Sequence, residues 1–226
     1  MATIAIIGRS GFLGGALARR FTDVSSFPTK DTKYLFHFGS PTHMGFNQNS
    51  DYHTKEVFDS FLYLLPYCRD NEIKFIYASS ALVYEPDTAF SRHKKALELL
   101  AANYSNTLGL RIFPVYDKDH TVIAEWCKDK KAGRVSTIYG NGSQIRDFIH
   151  INDAVEQIIS LMDNTGIWDI GAGKPYAFSK IIEMIGGKFV YVDKPEGYFQ
   201  GIYCKNPLPT KISLDEGIRN ILLSSD

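Results

Sequence analysis

Ile4-Ala5-Ile6-Ile7 runs directly into Gly8-Arg9-Ser10-Gly11-Phe12-Leu13-Gly14. Four apolar residues predict a buried strand. Three glycines at a spacing of three predict a tight turn, and the apolar spacing beyond them predicts a helix. This order commits the chain to a βα unit of the kind that builds parallel sheets, whose strands need crossover connections. The turn gathers backbone N–H groups at one spot, which suits the diphosphate of a dinucleotide. The first glycine permits the turn. The second lets the backbone approach phosphates with no Cβ in the way, and the third lets helix and strand pack closely. A tight βα turn with no ligand uses the same glycines.

The alternation continues downstream. Strands are predicted over Thr3–Ile7, Tyr34–Phe38, Lys74–Tyr77 and Leu108–Phe113. Helices are predicted over Leu13–Phe21, about Thr54–Arg69, Ser91–Tyr104 and His120–Lys131. Pro66 lacks a donor and is expected to kink or end its helix in the last turn. Shorter strands follow at Val135–Ile138, Phe148–Ile151, Ile167–Ile170 and Phe189–Val192, with helices at Asp153–Met162 and Ala177–Ile185. Ser213-Leu214-Asp215-Glu216 reads as a capping box opening a final helix. The fold class expected is α/β: a Rossmann-like doubly wound, mainly parallel sheet with a small C-terminal substrate-binding lobe. Gly-rich turns and short strands replace long βα units after about residue 116. The expected organisation is therefore a dinucleotide-binding core over 1–116 and a substrate-binding lobe over 117–226 that returns core elements, in one integrated domain. Ligands are expected at the carboxyl ends of the strands.

Composition narrows the partners. With 226 residues, 44% of them hydrophobic, the chain can bury a sizeable core. Lys plus Arg equal Asp plus Glu at 25 each, so no basic excess points to nucleic acid. Cys68, Cys127 and Cys204 have neither metal spacing nor a disulfide framework and read as reduced thiols, so no metal is expected. The N-terminus enters a strand at once, leaving no room for a signal peptide, and no apolar run is long enough for a membrane span. A cytoplasmic location with no membrane partner is the expectation.

Six ordered segments resemble the extended short-chain dehydrogenase/reductase family, specifically its NAD-dependent nucleotide-sugar epimerases and dehydratases. They are Gly8–Gly14; Phe36-His37-Phe38-Gly39-Ser40-Pro41; Phe75-Ile76-Tyr77-Ala78-Ser79-Ser80-Ala81-Leu82-Val83-Tyr84; Thr137–Gly142 with Arg146–Ala154; Asp169-Ile170-Gly171-Ala172-Gly173; and Ser213–Ile218. The resemblance covers nearly the whole chain. It implies that a nicotinamide takes hydride from a sugar carbon while a Tyr, four residues before a Lys on a helix, takes the hydroxyl proton. Residues i and i+4 share a helix face, so the ammonium lies near the phenol and lowers its pKa. A Ser or Thr at a strand end hydrogen-bonds the same oxygen.

By this resemblance Ser80 is the catalytic hydroxyl and Lys94 the lysine. Gly8, Arg9, Ser10, Gly11, Phe12, Leu13, Gly14, Phe38, Gly39, Ser40 and Lys94 bind the cofactor. Ser80, Tyr84 and Arg146 bind the substrate, Arg146 gripping its diphosphate with a guanidinium fork. Ser79 and Ser80 at a strand end also suit a simple turn, Lys94 a solvated helix face, and Arg146 an ordinary surface position.

The chain departs from the pattern at five places. Position 90, four before Lys94, is Phe90, and a phenyl ring cannot transfer a proton. His93 and Tyr84 are the alternative proton carriers, Tyr84 being better suited to packing beside nicotinamide or substrate. The Asp-Glu pair that sugar-nucleotide dehydratases carry after the catalytic hydroxyl is here Ala81 and Leu82, which disfavours 4,6-dehydration. Pro114 stands where the family has a substrate-contacting Asn. Finally, about a dozen residues separate Phe21 from Tyr34, too few for the family's usual βαβα passage. Asp23 and Asp31 are the acids there, and neither clearly ends a strand to bind an adenosine ribose. Arg9 and Lys30 suit a 2′-phosphate instead, so the cofactor is NAD or NADP, with NAD slightly favoured. The loop between Tyr84 and Phe90 is also short.

The expected function is an NAD(P)-dependent nucleotide-sugar epimerase or reductase with Phe90 at the Tyr position. The alternative is a catalytically impaired nucleotide or nucleotide-sugar binding protein on the same fold. The resemblance also implies a homodimer through helices 54–69 and 91–104.

Overall fold

The computed structural model describes residues 3–40, 50–84, 88–194 and 200–224. Pro41 and residues 85–87 of the short loop before Phe90 lie outside them. The chain divides into two compact units, residues 1–112 with 155–169, and residues 113–154 with 170–226.

The first unit carries a six-stranded sheet in the order β10-β5-β4-β3-β1-β2. Its strands are β1 (Ile4–Ile7), β2 (Val24–Ser25), β3 (Tyr34–His37), β4 (Lys74–Ser80), β5 (Thr107–Ile112) and β10 (Gly166–Ile170). The pairs β1–β2, β1–β3, β3–β4 and β4–β5 are all parallel. The register Ile7↔His37↔Tyr77 and Ser80↔Ile112 brings their carboxyl ends to one edge. Helices α1 (Phe12–Ala18), α2 (Ser50–Asp70) and α3 (Ala89–Ala101) connect them. Near-continuous burial of β1, β3 and β4 is what a parallel sheet covered on both faces requires. Leu35, Phe75 and Tyr77 pack with Phe61, Leu64 and Leu65 of α2 and with Leu97 and Ala101 of α3 in one core.

Helix α2 ends at Asp70, one residue past the expected Arg69, and Pro66 does not end it. Proline removes one intrahelical bond, to the carbonyl four residues back, but Leu64, Leu65 and Cys68 pin both sides of the break in the core. Leu62, whose carbonyl loses that bond, lies on the exposed side. Helix α3 begins at Ala89, two residues early, because Thr88 caps it. Thr88 Oγ1 accepts from the Ser91 N–H at 3.1 Å, and Ser91 Oγ accepts from the Thr88 N–H at 2.9 Å. A serine in place of Glu or Gln hides this capping box from a sequence pattern. The stretch after Phe21 holds the two-residue strand β2, parallel to β1.

Among the described residues the second unit contains three strand pairs. β7 (Val135–Tyr139) pairs in parallel with β12 (Lys188–Val192), and β6 (Val115–Tyr116) with β9 (Ile149–His150). β8 (Ile145–Asp147) is antiparallel to β11 (Pro175–Ala177). The single strand expected at Phe148–Ile151 is thus β8 and β9, interrupted at Phe148. Helices α4 (Val122–Lys131), α6 (Phe178–Ile185) and α7 (Leu214–Leu223) enclose a core of Tyr116, Trp126, Ile138, Phe148, Phe178 and Ile218. Helix α5 (Ile151–Ser160) begins in this unit and ends in the first. Asp147, fully buried, accepts N–H bonds from Gly173 at 2.9 Å, Lys174 at 3.3 Å and Cys204 at 2.9 Å. Three donors satisfy the carboxylate and tie the strand to two loops. Ser213 caps α7 by accepting from the Glu216 N–H at 3.2 Å. Burial pushes the Cys68 thiol up to about 12 and Cys127 up to about 11, so both are inert. Among the described residues no helix is long and apolar enough to cross a membrane.

Candidate active site

The glycine turn joins two strand ends. Gly8 has φ +86°, and a Cβ there would come within 2.6 Å of the Phe38 and Gly39 backbone. A Cβ on Gly14 would run into the Gly8 carbonyl oxygen, and one on Gly39 would meet Ile7 Cγ2 at 2.7 Å. The Gly11 N–H donates to the Gly8 carbonyl at 2.9 Å and no side chain caps α1 behind it. No acidic residue stands in the first turn of α1. Gly8, Gly11, Gly14, Phe38 and Gly39 are therefore drawn together at the carboxyl ends of β1 and β3. Ser10 is exposed there, and Phe12 and Leu13 begin α1 half-buried. Arg9 leaves the turn sideways: its Nη1 donates to the Val24 carbonyl of β2 at 3.0 Å.

Lys94 is 3% exposed. Its Nζ donates to Ser40 Oγ at 2.8 Å and to the Ala78 carbonyl at 3.0 Å, linking α3 to the ends of β3 and β4. Burial pushes its pKa down to about 8, against the pull of the Glu98 carboxylate. Phe90, 4% exposed, presents its ring 5.6 Å from that ammonium, on the shared face that the i, i+4 spacing predicts.

Ser80 ends β4 half-buried, and its Oγ accepts from the Leu82 N–H at 3.2 Å, capping the single 3₁₀ turn Ala81–Val83. Tyr84 follows, 48% exposed. Its hydroxyl donates to Asp169 Oδ1 at 2.8 Å, and the Arg111 guanidinium lies 4.7 Å from its ring centre. Burial raises the Tyr84 pKa, with Arg111 opposing and Asp169 adding to it. Burial also raises that of Asp169, against the Tyr84 bond and Arg111. Behind them Glu98, 7% exposed, accepts from Arg111 Nε at 3.0 Å and Nη2 at 2.7 Å and from Ser79 Oγ at 2.5 Å. Glu98 and Arg111 escaped the sequence reading and Asp169 entered only as part of a motif. The signals were a carboxylate four residues after Lys94, and single charges at the ends of two apolar strands.

His93 is buried against the Phe58 ring, centroids 5.4 Å apart. Burial, then Lys94, pushes its pKa down to about 4, so its imidazole is neutral at pH 7. Arg146 belongs to the second unit. It is 8% exposed, donates to the Ile145 carbonyl at 2.7 Å, and sits 5.5 Å from the Phe178 ring centre. The Pro114 carbonyl accepts from the Ile149 N–H at 2.9 Å. Among the described residues no three His, Cys, Asp or Glu side chains are grouped to hold a metal.

This turn fits a dinucleotide diphosphate. Its glycines leave backbone where side chains would stand, and the first turn of α1 carries no acidic residue.

Residues 22–171 match the model of the NAD dependent epimerase/dehydratase family. The chain belongs to that family, as the ordered motifs of its sequence imply, and the dinucleotide expected from the glycine segment accords with it. ADP-L-glycero-D-manno-heptose-6-epimerase of Alkalilimnicola ehrlichii is 30% identical over 179 residues, covering 62% of this chain and 56% of that protein. The chain spans about half the length of the curated relatives it matches, 56% and 43% for two of them. Among solved structures, UDP-N-acetylglucosamine 4-epimerase from Methanobrevibacter ruminantium M1 in complex with UDP-N-acetylmuramic acid superposes with a TM-score of 0.84. The identity is 18%, and 97% of this chain and 96% of that one are covered. MoeE5 in complex with UDP-glucose and NAD gives 0.82 at 18% identity, over 98% and 97%. At these identities the likeness is one of fold.

Proposed function

We propose that the chain is an NAD(P)-dependent nucleotide-sugar epimerase or reductase in which Phe90 occupies the proton-transfer position. The observation that carries this reading is the Lys94 ammonium. It is buried and held by Ser40 Oγ and the Ala78 carbonyl at the strand ends where α/β sheets bind ligands. A buried cation that costs desolvation is weak support for folding and suits a site that binds a hydroxylated ligand. Gly8, Gly11 and Gly14 would hold the diphosphate of the cofactor, with Phe38, Gly39, Ser40 and Lys94 beside its ribose and nicotinamide. When bound, the nicotinamide accepts or returns hydride at a sugar carbon. Ser80 orients the sugar hydroxyl and Lys94 lowers the cost of negative charge on its oxygen. Tyr84 offers a half-exposed phenol and ring face at the same end of β4.

Ala81 and Leu82 form the turn after Ser80 and can move no proton, so the reading is epimerisation or reduction, not dehydration. Arg146 is assigned the substrate diphosphate. The guanidinium is braced by the Ile145 and Gln200 carbonyls and the Phe178 ring, and its planar fork is of the type that matches phosphate oxygens. The relatives reported above act on or bind nucleotide-linked sugars, which favours that class. A second reading, a nucleotide-sugar binding protein without turnover, rests on Phe90 itself, which carries no transferable proton.

Calorimetry of the chain with dinucleotides and with a panel of UDP- and ADP-sugars, followed by chromatography of any product, tests both readings. Binding of both ligand classes with conversion supports the enzyme. Binding without conversion supports the second reading, and absence of dinucleotide binding overturns the first.

A further inference from the structure

The geometry points to a 2′-phosphate site on Arg9, so that the chain takes NADP(H) in preference to NAD(H); this rests on the dinucleotide-binding reading above. In a βαβ unit the adenosine leaves the glycine turn toward the carboxyl end of the neighbouring strand. A carboxylate there selects the free ribose hydroxyls, whereas an arginine accommodates a 2′-phosphate. The neighbour of β1 on that side is β2, which pairs Ile4↔Val24 and Ala5↔Ser25.

The two acids of this stretch are at the wrong edge. Asp23 precedes β2 and so lies at its amino end. Asp31 sits in a turn whose following amides, of Lys33 and Tyr34, donate to the Thr3 carbonyl just before β1, at 2.8 Å and 3.2 Å. That turn is at the amino ends of β1 and β3, and Lys30 beside Asp31 shares its place. The carboxyl side of β2 continues instead as Ser26, Phe27 and Pro28, with no carboxylate.

Arg9 reaches this side. It is the residue after Gly8, it is exposed, and one of its five N–H donors is fixed on the Val24 carbonyl at 3.0 Å. Among the described residues it pairs with no carboxylate. A guanidinium anchored by one donor keeps its remaining fork for a phosphate, at reduced entropic cost because the side chain is already placed.

The test measures binding without turnover. Calorimetry compares NADPH with NADH, and 2′-phospho-ADP-ribose with ADP-ribose, on the wild-type chain, Arg9→Ala and Arg9→Lys. The phosphorylated member of each pair is expected to bind about tenfold more tightly or better, the scale of one hydrogen bond to a charged group. Arg9→Ala is expected to remove that difference, its loss falling on NADPH and 2′-phospho-ADP-ribose more than on their unphosphorylated partners, and Arg9→Lys keeps part of it because the charge remains. Equal or tighter binding of NADH by the wild type overturns the inference while the dinucleotide reading stands. So does an equal loss for both ligands in Arg9→Ala. No binding of any of the four ligands overturns the dinucleotide reading and the inference together.

Discussion

The Nζ of Lys94 lies 5.6 Å from the centre of the Phe90 ring, one helical turn before it. The ammonium meets an aromatic face, an attraction that steadies both side chains without any exchangeable proton. Under the proposed function, what this ring lacks is a hydroxyl.

Restoring that hydroxyl is therefore informative. Phe90→Tyr places a phenol beside a buried ammonium, which favours the phenolate and brings its pKa toward neutrality. Turnover of a bound nucleotide sugar is expected to rise about 10²–10⁴-fold, the usual range for one positioned acid–base group. Phe90→Leu serves as the control that changes packing alone and is expected to give no gain. Product formation by the two variants under saturating ligand decides it; a tyrosine variant that binds both ligands yet shows no gain sinks the assignment of this position.

The buried lysine also makes a statement about pH. Lys94 has its pKa pushed down from 10.5 to about 8, so between those values the unfolded chain holds a proton that the folded chain has released. Stability from this group therefore rises as pH climbs from about 8 toward 10.5, and the burial penalty is fully present below pH 8. Lys94→Met lacks this dependence. Relative to Lys94→Met, the wild type is expected to gain up to about 3 kcal/mol across that interval. Urea unfolding of both proteins at pH 7 and pH 10 measures it, and parallel stability curves would refute the shift.

We also propose a homodimer through the outer faces of α2 and α3. Leu62 and Tyr63 on α2 are 58% and 67% exposed and Leu99 on α3 is 73% exposed, while the opposite faces of both helices fill one core. Exposed large apolar groups on adjoining helices suit a second copy of the same surface. Sedimentation velocity is expected to show a dimer at micromolar concentration, and Leu99→Glu to weaken it at least about tenfold, the scale of one buried leucine. A wild-type chain that sediments as a monomer removes this proposal.

The sequence made the order of strands and helices readable wherever a period had room to repeat. β1, the glycine turn and the start of α1 follow from eleven consecutive residues, Ile4–Gly14. The Lys94–Phe90 relation was legible because both lie on one helix at a fixed spacing. β2 was not, since two residues carry no period. Pro66 does not end α2, because the core holds the helix on either side of it. Tyr84 and Asp169 are 85 positions apart, and no local pattern announces that their side chains bond. Glu98 looked like one more charge on a helix rich in them. Its three bonds, from Arg111 and Ser79, exist only once β4 and β5 are paired. The parts of the site carried by single elements were thus visible, and the parts assembled from separate strand ends were not.

The shortness of β2 has a consequence at the margin of the sheet. A marginal strand exposes a row of unpaired amides and carbonyls that can recruit a strand from another molecule, and long flat margins are where such cross-pairing starts. Here the last strand offers two residues, and one of its carbonyls is already taken by Arg9. Abbreviating this border leaves little template for intermolecular β-pairing, so the truncation doubles as protection against fibrillar association.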